Sequence, residues 1–304
     1  MRITTPQQFN TIQNNILGAN TQMFKYQQQV SSGKTLTAAS EDPAAYDRLM
    51  QLRQSTLEAT QYSSNTAQLR TQMQSYDSSL NNVSDVLAQA RSLASQAATD
   101  TIDAQARQQL ASQVDQLLTQ TLDLANSYEN GHYLYAGSKD QSPPFSAVHD
   151  STGKVTDITY NGDERVSTVK VSASANLQSS FSGTQIFGSK PGSSDSVMGS
   201  LIALRDAITT GNAKQISAQL AGLDTVSSNT VGARAQVGVR IQHLDNLDQV
   251  RQQNMAAISA EQSSLEDANL PAALTSLSQM QSTYQAALTV AAKMSSLSLI
   301  NRLQ

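Results

Sequence analysis

Near the start of the chain, apolar residues recur at alternating spacings of three and four: Phe9, Ile12, Ile16, Ala19, Met23, Tyr26 and Val30. Such a heptad seam lines one stripe of a helix and predicts a coiled-coil-like element that packs on a partner helix. Gly33 follows as a C-terminal stop. Ser40-Glu41-Asp42-Pro43 then reads as a helix start, with Asp42 as N-cap and Pro43 as the first helical residue. The helix that follows carries Leu69, Met73, Tyr76, Leu80, Val83, Leu87, Ala90, Ala94 and Ala97, again alternating by four and three. A break is expected at Asp100 to Asp103, then a further helix with Leu110, Val114, Leu117, Thr121, Leu124 and Tyr128 on one face.

From Asn130 to about Ser196 the texture changes. Gly and Pro collect there, with β-branched runs between them. Residues 156–160 and 165–171 read as strands, and Asn161-Gly162-Asp163 between them as a hairpin turn. Helical period then returns. Val197, Leu201, Leu204 and Ile208 form one seam, and Ile216, Leu220 and Leu223 another. Val237, Ile241 and Leu244 open a long helix toward Ser264. Pro271 lies near the start of the last helix, whose seam is Leu274, Leu277, Tyr284, Leu288, Ala291, Met294 and Leu297.

The expected fold is mainly α, a long antiparallel helical rod formed by both chain halves with a small β-rich domain inserted in the middle. Antiparallel return brings the two terminal helices together. Three regions follow: a terminal coiled-coil domain of 1–41 with 265–304, a helical rod of 42–136 with 196–264, and an outer β-rich domain of 137–195. A terminal helix of about 30 residues would be about 45 Å long.

Composition fits this picture. Hydrophobic residues make up 38% and charged residues 14%, with 5% aromatics and no Trp. Both main shares fall below globular averages, while Ser and Gln are abundant. Such a chain suits thin helix pairs with narrow apolar seams better than a thick core. The net charge of −4, with no basic run, argues against a nucleic-acid partner. The absence of Cys excludes a disulfide scaffold, a thiol nucleophile and a Cys-ligated metal. The opening Met1-Arg2-Ile3-Thr4-Thr5-Pro6-Gln7-Gln8-Phe9 has no apolar core and is not expected to be a secretory signal peptide. No run of 18 apolar residues exists, so no membrane insertion is expected.

Candidate chemistry is sparse. His132, His149 and His243 are scattered without metal-ligand spacing. No GxSxG, HExxH or Walker pattern occurs. The run from Gly188 to Ser194 resembles a phosphate loop only superficially and reads as a linker. Glu266-Asp267 reads as helix N-terminal capping rather than an acid–base pair. The expectation is a structural protein that assembles through its terminal seams, with no catalytic residue, cofactor or metal.

Several segments resemble the flagellin superfamily, in particular its branch at the junction between hook and filament. They include Met1-Arg2-Ile3-Thr4-Thr5, Val30-Ser31-Ser32-Gly33-Lys34-Thr35-Leu36, Ser40-Glu41-Asp42-Pro43-Ala44-Ala45, and Asn130-Gly131-His132-Tyr133-Leu134-Tyr135-Ala136-Gly137 with Pro144-Phe145. Further along lie Tyr160-Asn161-Gly162-Asp163, Val231-Gly232-Ala233-Arg234, Leu265-Glu266-Asp267-Ala268-Asn269-Leu270, Tyr284-Gln285-Ala286-Ala287-Leu288 and Ser296-Leu297-Ser298-Leu299-Ile300. Pro271 departs from the pattern, where the family more often has a polar residue or Ala. The resemblance implies an extracellular structural subunit, exported unfolded by the flagellar type III apparatus without cleavage. It implies a ring of identical subunits between hook-associated protein 1 and flagellin, and an export chaperone that binds near the C-terminus. The alternatives are a flagellin filament subunit and, from another class, a cytoplasmic coiled-coil signalling module. The latter expects continuous heptads and no β insertion.

Overall fold

The computed structural model of the chain describes residues 5–99, 102–129, 131–188, 193 and 195–303. In chain order these form α1 (Thr5–Ser32), α2 (Pro43–Ala97), α3 (Ala104–Ala125), the short strands β1 (Tyr128–Glu129) and β2 (His132–Tyr133), β3 (Phe145–His149), β4 (Val155–Tyr160), β5 (Thr168–Lys170), β6 (Asn176–Gln178), α4 (Gly183–Phe187), α5 (Val197–Thr210), α6 (Ala213–Glu266) and α7 (Leu270–Leu303). The chain divides into two compact units, 1–58 with 253–304, and 59–252.

The helix limits follow from local chemistry. Gly33, at φ 70°, ends α1 in the left-handed region that other residues avoid. Asp42 Oδ1 accepts from the backbone N–H groups of Ala44 and Ala45 at 3.1 and 3.0 Å, leaving Pro43 as the first helical residue. Asp103 caps α3 by accepting from Ala106 N at 2.7 Å, and Ser196 caps α5 by accepting from Gly199 N at 3.0 Å. The break expected at Asp100 to Asp103 falls partly outside the described residues, as does most of the Gly188–Ser194 linker.

The return half differs from the sequence reading in one respect. The seams at Ile216 and at Val237 belong to one helix, α6, of 54 residues. Gly232 and Gly238 lie in its interior, where each costs about 1 kcal/mol relative to Ala. The buried stripe of Ile216, Leu223, Val226, Ala233, Val237 and Leu244 outweighs that cost.

In the unit of residues 59–252, every residue of the α2 seam from Leu69 to Ala97 is at most 4% exposed. It joins buried residues of α3, α5 and α6 in one core. Arg70 pairs with Asp245 at 2.8 Å and with Asp248, Arg91 with Asp224 at 2.7 Å, Arg234 with Asp77 at 2.7 Å, and Arg251 with Asp248. An aromatic chain carries the core into the β region. Tyr76 meets Tyr135 and Phe181 edge to face at 5.4 and 5.0 Å, and Phe187 links Tyr135 to Phe145 at 5.0 and 5.3 Å. The Tyr76 hydroxyl donates to Leu134 O at 2.5 Å and accepts from Phe181 N, and burial pushes its pKa up to about 12.

Among the described residues the β region is three separate antiparallel pairs: β1 with β2, β3 with β4, and β5 with β6. The expected hairpin at Asn161-Gly162-Asp163 is therefore not formed, because β4 pairs backward with β3. The hairpin turn lies instead at Asp150–Gly153, where Asp150 Oδ1 accepts from Thr152 N, Thr152 Oγ1 and Lys154 N. Asp163 is occupied elsewhere. Its carboxylate accepts from Ser138 N at 2.7 Å and from the Ser138 hydroxyl, and these bonds hold its pKa below the ordinary value. Tyr160 Oη lies 2.8 and 3.0 Å from the carbonyls of Asp163 and Tyr135, which share its single proton. The Tyr-Asn-Gly-Asp run is thus a pin holding the loop after β2, not a turn between strands.

Arg205 of α5, only 1% exposed, anchors β4 to the helices. It donates to Val155 O at 2.7 Å and to Asp115 Oδ1 at 2.8 Å, and pairs with Asp206 at 3.0 Å.

Candidate assembly interface

The terminal unit is built on α1 and α7, which pack together along their lengths. On α1, Ile12, Ile16, Ala19, Met23, Tyr26 and Val30 are all half-buried, at the spacing of their heptad seam. The facing side of α7 is Ala273, Leu277, Met280, Tyr284, Ala287, Ala291 and Met294, stepping by four and three. Leu277, Tyr284, Ala291 and Met294 of the expected seam lie there. Leu274 and Leu288 lie on the flank, 53% and 44% exposed. The side chains of Phe9 and Leu297 fall outside the described residues.

The degree of burial separates this pair from the core around α2. Among the described side chains, α1 has no buried residue, and α7 has one, Ala273 at 6%. Large apolar groups remain open beside the seam, with Leu17 57% and Phe24 60% exposed on α1. Small residues on α7 leave a cleft of about 200 Å³ lined by Ile12, Ile16, Leu17 and Ala291. The pair therefore buries one side of each helix and leaves apolar surface unpartnered within the chain.

At the base of the pair, the two linkers clasp each other. Thr35 N donates to Glu266 O at 2.6 Å and Ala268 N to Gly33 O at 2.8 Å, on either side of a bridge between Lys34 and Asp267. The Glu266 carboxylate takes Lys34 Nζ at 2.9 Å on one oxygen and Arg53 at 2.6 Å on the other. Burial pushes the Glu266 pKa up, but the two cationic donors outweigh it and hold the carboxyl below its ordinary value. Next to this clasp, Arg48 pairs with Glu261 at 2.7 Å. The reading of Glu266-Asp267 as a helix N-cap is corrected here. Glu266 ends α6, and Asn269 caps α7 by accepting from Ala272 N at 3.2 Å. Lys34, Arg53 and Glu266 escaped the sequence reading because their meeting depends on the antiparallel return, which no local spacing encodes.

No helix among the described residues is long and apolar enough to cross a membrane. Residues 3–140 match the family described as the bacterial flagellin N-terminal helical region. The chain is 25% identical to flagellar hook-associated protein 3 of Salmonella typhimurium and 26% identical to that of Escherichia coli, each over 98% of both chains. Among solved structures, it is similar to a putative flagellar hook-associated protein from Vibrio parahaemolyticus, with a TM-score of 0.66 and 22% identity over 75% of this chain and all of that one. It is also similar to the flagellar junction protein FlgL from Legionella pneumophila, with a TM-score of 0.60 and 14% identity over 72% of this chain and all of that one. These structures share its fold.

Proposed function

We infer, from the kinship of this chain with flagellar hook-associated protein 3 and the flagellins, that it is a structural subunit of the bacterial flagellum. It forms the junction between hook and filament as a ring of identical copies and is needed for motility. It is not an enzyme. The observation that carries the reading is similarity along 98% of the chain to hook-associated protein 3, with both terminal segments included.

The terminal pair supplies the assembly chemistry. Leu17, Phe24, Leu274 and Leu288 are exposed in the single chain, and full burial of each is worth roughly 1.5–3 kcal/mol. Neighbouring subunits that cover them turn a one-sided helix pair into a closed layer. In this reading the terminal coiled-coil domain, 1–41 with 265–304, packs inward around the axial channel. The rod of 42–136 with 196–264 forms the next shell, and the β-rich domain of 137–195 faces solvent. The subunit is exported uncleaved through the flagellar type III apparatus, with a chaperone on its C-terminal segment. It meets hook-associated protein 1 on one side and flagellin on the other.

Deletion of the gene tests this. Cells should keep their hooks, lose motility and release unpolymerised flagellin into the medium, and immunogold on complemented cells should label a single band at the hook–filament boundary. Label along the whole filament would make the chain a flagellin. Protein confined to the cytoplasm would favour a signalling module.

A further inference from the structure

The chain has no Cys and eight Met, so its oxidisable sulfur is thioether alone. These methionines divide by position. In the unit of residues 59–252, Met73 and Met198 are fully buried, each 0% exposed. In the unit of 1–58 with 253–304, Met23, Met50, Met255, Met280 and Met294 are all half-buried. Met1 lies outside the described residues. An oxidant in water therefore reaches the sulfurs of the terminal unit before those of the core around α2.

Two of the five share a layer. Met23 is on the α1 seam and Met280 on the facing side of α7. The antiparallel register of the two helices is set by the Lys34–Asp267 bridge at their base and by the cleft that Ala291 shares with Ile12 and Ile16. Eleven residues separate Ile12 from Met23, and eleven separate Met280 from Ala291. Both helices rise equally per residue, so Met23 and Met280 lie at one level on facing stripes. The inward residues one turn away are Ala19 and Tyr26 on α1, and Leu277 and Tyr284 on α7. Apart from the two tyrosine hydroxyls these side chains carry no donor, so an oxygen added to this layer depends on water.

We propose that Met23 and Met280 form an oxidation site that decides whether the subunit can assemble. A hydroperoxide converts each thioether to the sulfoxide. The sulfur gives up two electrons, the peroxide O–O bond breaks, one oxygen bonds to sulfur and the other leaves as water. A flexible apolar side chain thereby becomes polar. In the single chain the new oxygen stays hydrated at the half-open face. The consequence for assembly rests on the ring reading above, in which a neighbouring copy covers that face. Covering it strips water from two oxygens in one layer, and the contact is lost.

The experiment adds purified full chain, untreated or treated with hydrogen peroxide, to hook-bearing cells that lack the gene, and counts filaments. Chain oxidised until Met23 and Met280 are converted should restore at least about ten-fold fewer than untreated chain. Methionine sulfoxide reductase should bring the count back. Met23→Leu with Met280→Leu should keep its count after the same treatment, since Leu preserves volume and offers no sulfur. Equal counts before and after oxidation, or a double variant that loses as much as the unaltered chain, would overturn the proposal. The converse variant, Met50→Leu with Met255→Leu and Met294→Leu, keeps both seam sulfurs and should still fail once oxidised; retention would overturn it. Peptide mass spectrometry of the unaltered chain is independent of any variant's folding: Met23 and Met280 should gain oxygen at least about ten times faster than Met73 and Met198. Equal rates would remove the site. Untreated chain that restores no filaments would instead defeat the ring reading itself.

Discussion

Lys34 and Glu266, separated by 232 positions in the chain, meet in a 2.9 Å ion pair at the point where both terminal linkers turn. Arg53 closes the other carboxylate oxygen. Glu266→Gln should leave the fold intact but loosen the clasp, at a cost of about 1 kcal/mol. Amide exchange at Thr35 and Ala268 should accelerate, while exchange around Tyr76 should not change.

The same carboxylate sets a pH response. Its folded pKa lies below the ordinary value, so its contribution is fully present above that value. It is lost as pH falls through the folded pKa, which places the window on the acid side of the ordinary carboxylate range. Asp163, also held low, acts in the same direction. Thermal stability of the unaltered protein should fall on acidification through that window. The fall should be smaller for Glu266→Gln, as differential scanning calorimetry at stepped pH would read.

Gly137 has a φ of 68°, and a Cβ added to it would lie 2.2 Å from Asp163 Oδ1 and 2.3 Å from Asp163 O. Gly137→Ala should therefore destabilise the 59–252 unit by about 2–3 kcal/mol through backbone strain and loss of the Asp163 pin. Urea denaturation followed by circular dichroism measures this. Gly153, at φ 83° with open space around it, is the control and should cost less when changed to Ala.

Arg205 is buried while its partners Asp115 and Asp206 are about half exposed, 43% and 50% by side chain. Removing the guanidinium leaves those carboxylates to water but orphans Val155 O and opens a cavity. Arg205→Ala should cost about 3 kcal/mol and Arg205→Met clearly less, because Met keeps most of the volume. Equal losses in the two variants would assign the whole effect to charge.

Ala291 lines the cleft of about 200 Å³ between α1 and α7. Ala291→Leu fills it and should tighten the pair in the isolated subunit by about 0.5–2 kcal/mol. In the unaltered monomer, amide exchange from Ile12 to Val30 should be fast, because no described side chain of α1 is buried. The variant should slow it. If neighbours use the cleft in the ring, the variant should also swim less well.

Much of the fold was legible because heptad spacing survives weak composition. The α2 seam from Leu69 to Ala97 is buried throughout, and the α1 seam faces α7. On α7 two registers overlap, sharing Leu277, Tyr284, Ala291 and Met294. A reading weighted toward large residues chooses Leu274 and Leu288, whereas the other inward positions are Ala273, Met280 and Ala287. The Asn161-Gly162 signal suggested a hairpin, but turn propensity is local and Asp163 is held by Ser138, 25 residues away.

The clasp between the linkers has a mechanical meaning. Thr35 N–H to Glu266 O and Ala268 N–H to Gly33 O lie side by side across an antiparallel bridge, with the Lys34 and Arg53 contacts alongside. A pull on one terminus alone slides one linker past the other and loads these bonds in parallel, as shear. A pull that draws α1 and α7 away together moves both linkers alike and spares the bonds between them. A subunit gripped by both ends thus carries the load along two covalent strands at once, which suits a part placed where one material of a shaft gives way to another.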